Sequence, residues 1–514
     1  MKNKFFTLLK ADLKALTLGR VKGKDGQKRG WILPLVGFFV LYIMFALVMQ
    51  FVLIFDVANQ IGMPEVGFLL GGISGFSLIF ILSMSEAQDK LFRAKDLPTL
   101  ATLPLKQSTI FMSKSIAIIL TAYMYFSVVF IPLLIAYFWV VGFSIVSLIF
   151  ALIILLVFPL FPSSIGIAVG RFIAGLSKSS KHRGIVSAIF YGVVLLIFMT
   201  VLVGFQIFMA EIYSNPVLAN IINIVTYPFG LIGKAIVGDF ISLIIFVAIV
   251  IAFAIGIMFL ASFNYLKLMR VYGQETIKEK KRELEKRSQF VTFLKKEVKK
   301  YFSSGIYVFN TIFGVFLAII ATVALLFFDI PPEYGLSDNM MPMIYGAITL
   351  MSCTTAVSIS LEGKHFHSLK SMPINRKVWL NSKMALNLIL ISPAMMLCAG
   401  VFFIFKGDSV VISLLTILMI PVFNFFSAEF GLFANILFPK FEFQDDTAVV
   451  KRSVSTMFGM LVPPVLYITL ETVFSFVPIA YGFIMAIEIV ALAAGAVALY
   501  ITNRSFGIKR LAKL

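Results

Sequence analysis

Few residues in this sequence have the type and setting for chemistry. Glu429, in Ser427-Ala-Glu-Phe-Gly431, and Glu488, in Ala486-Ile-Glu-Ile-Val490, sit deepest in long apolar runs. A carboxyl at such depth needs a partner or a water-filled cavity. Both are therefore candidates for lining a translocation path, weighed evenly against carboxyls satisfied by nearby Ser or backbone groups. His365 and His367 form a lone His-x-His beside Glu362. That is a weak metal pattern, and the polar face of a short segment is the simpler reading. The sequence holds no Gly-x-x-x-x-Gly-Lys-Ser/Thr, no His-Glu-x-x-His, no Gly-x-Ser-x-Gly and no zinc spacing. It thus lacks a phosphate-cradling loop and any recognisable catalytic constellation, and no enzyme activity is expected of it. Cys353 and Cys398 lie in apolar runs without Cys-x-x-Cys spacing and read as buried thiols.

The elements that must position these residues are membrane spans. Of 514 residues, 60% are hydrophobic and 13% charged, with a mean hydropathy of +0.99. No water-soluble core needs that much apolar surface, so the expected fold is all-α and polytopic, with the bilayer as solvent. The net charge of +19 would suggest nucleic acid in a soluble protein, but in a membrane protein Lys and Arg gather on the cytoplasmic side. No nucleic-acid partner is expected. Residues 1–30 are basic and precede an apolar run too long for a signal-peptide core, so the first span is expected to stay.

A hydrocarbon core takes about 20 apolar residues per helix. Twelve stretches qualify, near Trp31–Phe55, Gly67–Met84, Ile116–Ala136, Phe143–Gly170, Gly184–Phe208, Phe240–Leu266, Gly305–Phe328, Met341–Leu361, Ala385–Phe405, Val410–Phe438, Val454–Glu471 and Tyr481–Tyr500. With both termini cytoplasmic, 42 of the 44 Lys and Arg fall in inside segments, leaving Lys234 and Lys406. The outer loops carry Asp56, Glu65, Asp329, Glu333 and Asp338. The expected location is the cytoplasmic membrane of a bacterial cell.

Three short echoes link the halves. Leu100-Ala-Thr-Leu-Pro104, continuing to Ser113-Lys114, returns as Leu369-Lys-Ser-Met-Pro373, continuing to Ser382-Lys383. Phe5 to Leu16 returns as Phe290 to Tyr301, whose apolar residues at helical spacing among lysines describe an interfacial amphipathic helix. Val186-Ser-x-x-Phe190 returns as Val454-Ser-x-x-Phe458. The order implies an internal duplication: a first six-span half at 1–266, a charged connector at 267–289 and a second half at 290–514. Six spans per half makes the repeats parallel, with both polar loops on one face. The outer segment Ala210–Asp239, broken by Pro216, Pro228 and Gly230, suggests a re-entrant or extracellular helix pair.

These residues resemble the permeases of ABC exporters of the type-2 class, in their long single-chain form with two six-span halves. The resemblance covers nearly the whole chain but rests on layout and short motifs. It implies that the loop between spans two and three of each half is a coupling helix docking into an ATPase. Glu86, Leu100, Leu103, Pro104 and Lys114 would serve in one half, and Glu362, Leu369, Met372, Pro373 and Lys383 in the other. The two glutamates match less well, because 14 residues separate Glu86 from Leu100 but 7 separate Glu362 from Leu369. The resemblance further implies no cofactor in this chain, with ATP and Mg bound by separate ABC ATPase subunits, two per chain. A secondary transporter or channel, or a non-transporting scaffold for an ATPase or protease, is the competing reading. Substrate class leaves no mark in the sequence.

The charge asymmetry generates a topology test. Single cysteines introduced at Asp338 and Glu279 should behave oppositely towards an impermeant thiol reagent in intact cells, the first labelled and the second protected. Equal labelling would overturn the orientation.

Overall fold

The computed structural model describes residues 5–10, 12, 32–60, 63–94, 96–177, 186, 189–194, 229–263, 265, 288–327, 340–363, 365–407, 409–443, 446–474 and 480–513. Most of the expected fifth span, the connector 267–289 apart from its last two residues, residues 13–31 and the outer residues 210–228 lie outside the described residues. Those described form helices, turns and short extended links, with no strand among them. Eleven helices among them are long and apolar enough to cross a membrane, and they overlie the expected spans other than the fifth. Helix is the form that lets an apolar segment satisfy its own backbone without water.

The chain divides into two compact units, one of Met1–Lys178 with Val193–Thr276 and one of Ser179–Gly192 with Ile277–Leu514. In the first unit, α1 (Ile32–Gln60) is followed by α2 (Glu65–Gln88), which runs on into a π turn at Asp89–Arg93. After α3 (Leu97–Thr102) and the 34-residue α4 (Gln107–Val140) come α5 (Ile145–Val157), α6 (Leu160–Ser177), α7 (Phe229–Val237) and α8 (Phe240–Ser262). Phe55, Phe68, Phe126, Phe158 and Phe246 are fully or nearly fully buried in its core. Helix α6 crosses α2 so closely that a Cβ on Gly170 would stand 2.5 Å from the Met84 carbonyl oxygen, a small-residue contact of the kind that joins membrane helices. The described part of the outer segment is the single short helix α7. It is buried against α2 and ends at Gly238, whose φ of +127° turns the chain. The Asp239 side chain then caps α8 by accepting from the Ile241 N–H at 3.0 Å.

The second unit begins with α9 (Gln289–Ser303), in which Phe290, Val291 and Val298 are exposed while Phe293, Glu297 and Tyr301 are buried. Then come α10 (Gly305–Phe327), α11 (Met340–Met351), α12 (Thr355–Ser358) and a 3-10 turn at Ser360–Glu362. The unit continues through α13 (His365–Ser371), α14 (Arg376–Lys406), α15 (Val410–Leu437), α16 (Thr447–Val450), α17 (Val454–Phe474), α18 (Tyr481–Thr502), a π turn at Asn503–Gly507 and α19 (Ile508–Lys513).

The stretch Met341–Leu361 reads as one continuous span, and the structure corrects this: the helix is interrupted at Ser352-Cys-Thr-Thr355 and again before Glu362. Ser and Thr offer the backbone local alternatives to the helical ladder, and here other helices take up the groups that are freed. Asn387 Oδ1 accepts from the Thr354 N–H at 2.6 Å, and Tyr307 donates to the Thr354 carbonyl at 2.7 Å. Asn435 Oδ1 accepts from the Ile359 and Ser360 N–H groups at 2.8 and 3.0 Å, while its Nδ2 donates to Ser360 and Ser455. Close approach permits this: a Cβ on Gly431 would lie 2.3 Å from Cys353 Sγ.

Asn435→Leu should therefore destabilise the second unit by about 1–3 kcal/mol for each orphaned backbone group. Denaturation in detergent micelles should show a lowered midpoint, whereas Thr469→Val, on an exposed surface, should leave it near the parent value.

Candidate functional site

The two echoed loops fold alike around their prolines. In the second unit the Met372 N–H donates to the Leu369 carbonyl at 3.3 Å and the Ile374 N–H to the Met372 carbonyl at 2.8 Å. In the first unit the Leu103 N–H donates to Leu100 at 3.3 Å and the Leu105 N–H to Leu103 at 2.7 Å. A bond from residue i+2 back to residue i is a γ-turn. Pro104 and Pro373 sit at its centre, where a fixed φ suits it and a missing N–H costs nothing. Beyond each turn a long helix starts, α4 at Gln107 and α14 at Arg376. Asn375 caps the latter by accepting from the Lys377 and Val378 N–H groups.

The turns present one apolar side chain each. Leu103 is 46% exposed and Met372 53%, with Pro104 and Pro373 exposed beside them. Leu105 and Ile374, next in the chain, do not share that exposure. Instead they pack inward, as do Leu100 and Leu369, against the units' own apolar clusters.

Behind the second turn lies a buried charge cluster. Lys383 Nζ, on the second turn of α14, donates to Glu297 Oε1 at 2.6 Å, to Glu362 Oε1 at 3.0 Å and to the Ser358 carbonyl at 3.1 Å. It also lies 4.6 Å from the centre of the Trp379 ring. Lys300 Nζ reaches Glu362 Oε1 at 3.0 Å, Ser358 O at 2.9 Å and Glu297 Oε2 at 3.1 Å, and Lys296 Nζ reaches Glu362 Oε2 at 3.0 Å. Burial opposes the Lys300 charge, but Glu297 and Glu362 outweigh it and hold that ammonium above the ordinary lysine range. The cluster thereby ties the amphipathic helix α9, the end of the broken span and the start of α14 into one joint.

Among the described residues, the first unit holds its turn with fewer contacts. Lys114 Nζ donates to Asp96 Oδ2 at 2.8 Å and to Asp12 Oδ1 at 3.5 Å, and Ser113 donates to Asp12 Oδ2 at 3.4 Å. Asp12 and Glu297 hold matching places in the amphipathic echo, as Lys114 and Lys383 do in the loop echo. Burial pushes the Asp12 carboxyl above the ordinary aspartate range in spite of Lys114. Glu86 does not stand where Glu362 does. It accepts from Lys90 at 2.8 Å and from Thr121 at 2.9 Å, while Asp96 takes the lysine. The longer spacing after Glu86 is occupied by the π turn and by Asp96, which sequence comparison of the two loops did not single out. Glu86, Lys114, Glu362 and Lys383 are all buried within their units.

Glu429 is fully buried and pairs with Arg504, while Asn503 Nδ2 donates to its Oε2 at 2.8 Å. Arg504 in turn donates to Asn381 Oδ1 at 2.8 and 3.0 Å and lies 3.7 Å from the centre of the Tyr500 ring. Glu429 thus joins α15 to α14 and to the π turn after α18. Glu488 sits beside Glu471 of α17, with both of its oxygens buried. Glu471 Oε1 accepts from Tyr467 at 2.8 Å and Tyr481 at 3.3 Å. From sequence, Glu471 reads only as the end of a span. His365 and His367 are exposed on α13, and among the described residues no group of three or more His, Cys, Asp or Glu gathers as a metal site. Cys353 and Cys398 are free and buried.

A family model described as a membrane protein of 12 TMs matches residues 34–503. No curated protein and no solved structure matches the chain.

Removing one member of a buried ion cluster typically costs about 3–5 kcal/mol, because the remaining charges stay buried. Lys383→Met should fall in that range by denaturation in detergent. Lys114→Met should cost less, since its nearest carboxylate, Asp96, is 31% exposed.

Proposed function

The chain belongs to a family of membrane proteins with twelve transmembrane spans, and from that premise we propose that it is the permease of an ATP-driven exporter. In this reading it sits in the cytoplasmic membrane of a bacterium with both termini inside, and separate ATPase subunits bind ATP and Mg. Each proline turn docks one ATPase, so a single chain serves a pair.

The observation that carries this reading is the build of the turns. An ATPase outside the bilayer moves a helix bundle only by pushing on a stiff element that is joined to it. Both turns are short, present one apolar residue beside a proline, and lead directly into a long helix. At 1.5 Å per residue α4 spans about 51 Å and α14 about 46 Å, against a hydrocarbon core of about 30 Å. Each helix therefore has length to extend beyond the apolar layer. The buried lysines at Lys114 and Lys383 brace that extension against the amphipathic helices.

A second reading draws on Glu471 and Glu488. Two carboxyls stand side by side on adjacent spans in an apolar setting, an arrangement that suits proton-coupled secondary transport. Transport by reconstituted protein separates the two: dependence on ATP and the ATPase supports the exporter, and dependence on a proton gradient alone supports the alternative.

Burying a Leu-sized side chain is worth roughly 1.5–3 kcal/mol, or about a 10- to 100-fold change in affinity. Leu103→Asp or Met372→Asp should weaken co-purification with the ATPase by that order and uncouple ATP hydrolysis from transport, without altering thermal unfolding. Normal association and transport in both variants would remove the docking assignment.

A further inference from the structure

Beside the buried cluster of the second unit is a pocket, open to the surface, of about 300 Å³, lined by Lys296, Lys299, Lys300 and Ser303 of α9 together with Leu361, Glu362 and His365. The four α9 residues follow one another at helical spacings of three, one and three, so they share a face. Hydrogen-bond accounting separates the lysines. An ammonium has three N–H donors. Lys300 and Lys383 each meet three acceptors, in Glu297, Glu362 and the Ser358 carbonyl. Lys296 gives one bond, to Glu362, and has two N–H groups left; Lys299 makes no hydrogen bond among the described residues. Charge points the same way: among the described residues, Lys296, Lys299, Lys300 and Lys383 face Glu297 and Glu362 here.

A cavity with spare ammonium donors and surplus positive charge takes a compact anion with several acceptor oxygens. We propose that it binds one phosphate-type oxyanion, held by Lys296 and Lys299 with His365 at the rim. The exposed apolar residues Phe290, Val291 and Val298 lie on a different face of α9. If that apolar face rests on lipid, the cavity opens to the side away from it, which favours a free anion over a lipid headgroup. The assignment does not depend on the exporter reading.

The test uses full-length protein purified in detergent and inorganic phosphate titrated at constant ionic strength against chloride. Phosphate should raise the unfolding midpoint, and Lys299→Gln, which breaks no internal bond, should weaken its apparent affinity roughly tenfold or more. Lys295→Gln, on the same helix but outside the cavity, should change nothing. A parallel arm uses nanodiscs of phosphatidylcholine with and without phosphatidylglycerol. Stabilisation by phosphatidylglycerol that Lys299→Gln abolishes, without a response to free phosphate, would identify a headgroup as the carrier of the anion. A phosphate response unchanged in Lys299→Gln, or no response in either arm, overturns the proposal.

Discussion

An ammonium leaves water only where anions and carbonyls replace every lost hydrogen bond. Lys383 is about 1% exposed and meets this condition, with two carboxylates and one backbone carbonyl for its three protons. Its carbonyl partner, Ser358, belongs to the span that is broken in the middle, and its two carboxylates come from the amphipathic helix and from the 3-10 turn. Helix α14 therefore cannot shift along its axis without uncovering a charge. A buried ion pair is poor evidence of high stability. What it gives is a single allowed register between three elements.

The broken span depends on a second set of contacts of the same kind. Asn387 and Asn435 act as substitutes for the missing helical ladder, each supplying an acceptor where the chain has none of its own. Irregular backbone at membrane depth is tolerated only when packed in protein and fully paired. The first unit has no such break in the corresponding helix, which stays regular to Gln88 and then widens into a π turn. The two units thus share the proline turn and the lysine behind it but differ in the helix that leads up to them.

Much of this was legible in the sequence, for physical reasons that also mark where legibility stops. Spans declare themselves because a bilayer demands about 20 apolar residues in a row. The two proline loops stood out because the block from Leu to Lys was repeated, but the γ-turn at each proline showed itself only in the structure. The breaks at Ser352–Thr355 and before Glu362 were hidden, since what sustains them is side chains 33 and 76 residues away. The pairing of Glu86 with Glu362 failed for a related reason: a carboxylate is defined by the lysine it meets, and in the first unit Asp96 meets it. Glu429 offered no sign of its partner, because Arg504 lies 75 residues further along.

That last separation bears on how the protein is made. Chains are synthesised from the N-terminus, and segments fold as they emerge. Asp12 and Asp96 precede Lys114, and Glu297 and Glu362 precede Lys383, so at each turn the anions are in place before the cation arrives. Glu429 has the opposite history: its carboxyl enters the membrane long before the guanidinium that will neutralise it. Until the ribosome has delivered Arg504, α15 is a nascent helix whose acid has not yet met its partner. Assembly of the second unit therefore has a built-in order, with closure around Glu429 as a late and separate step.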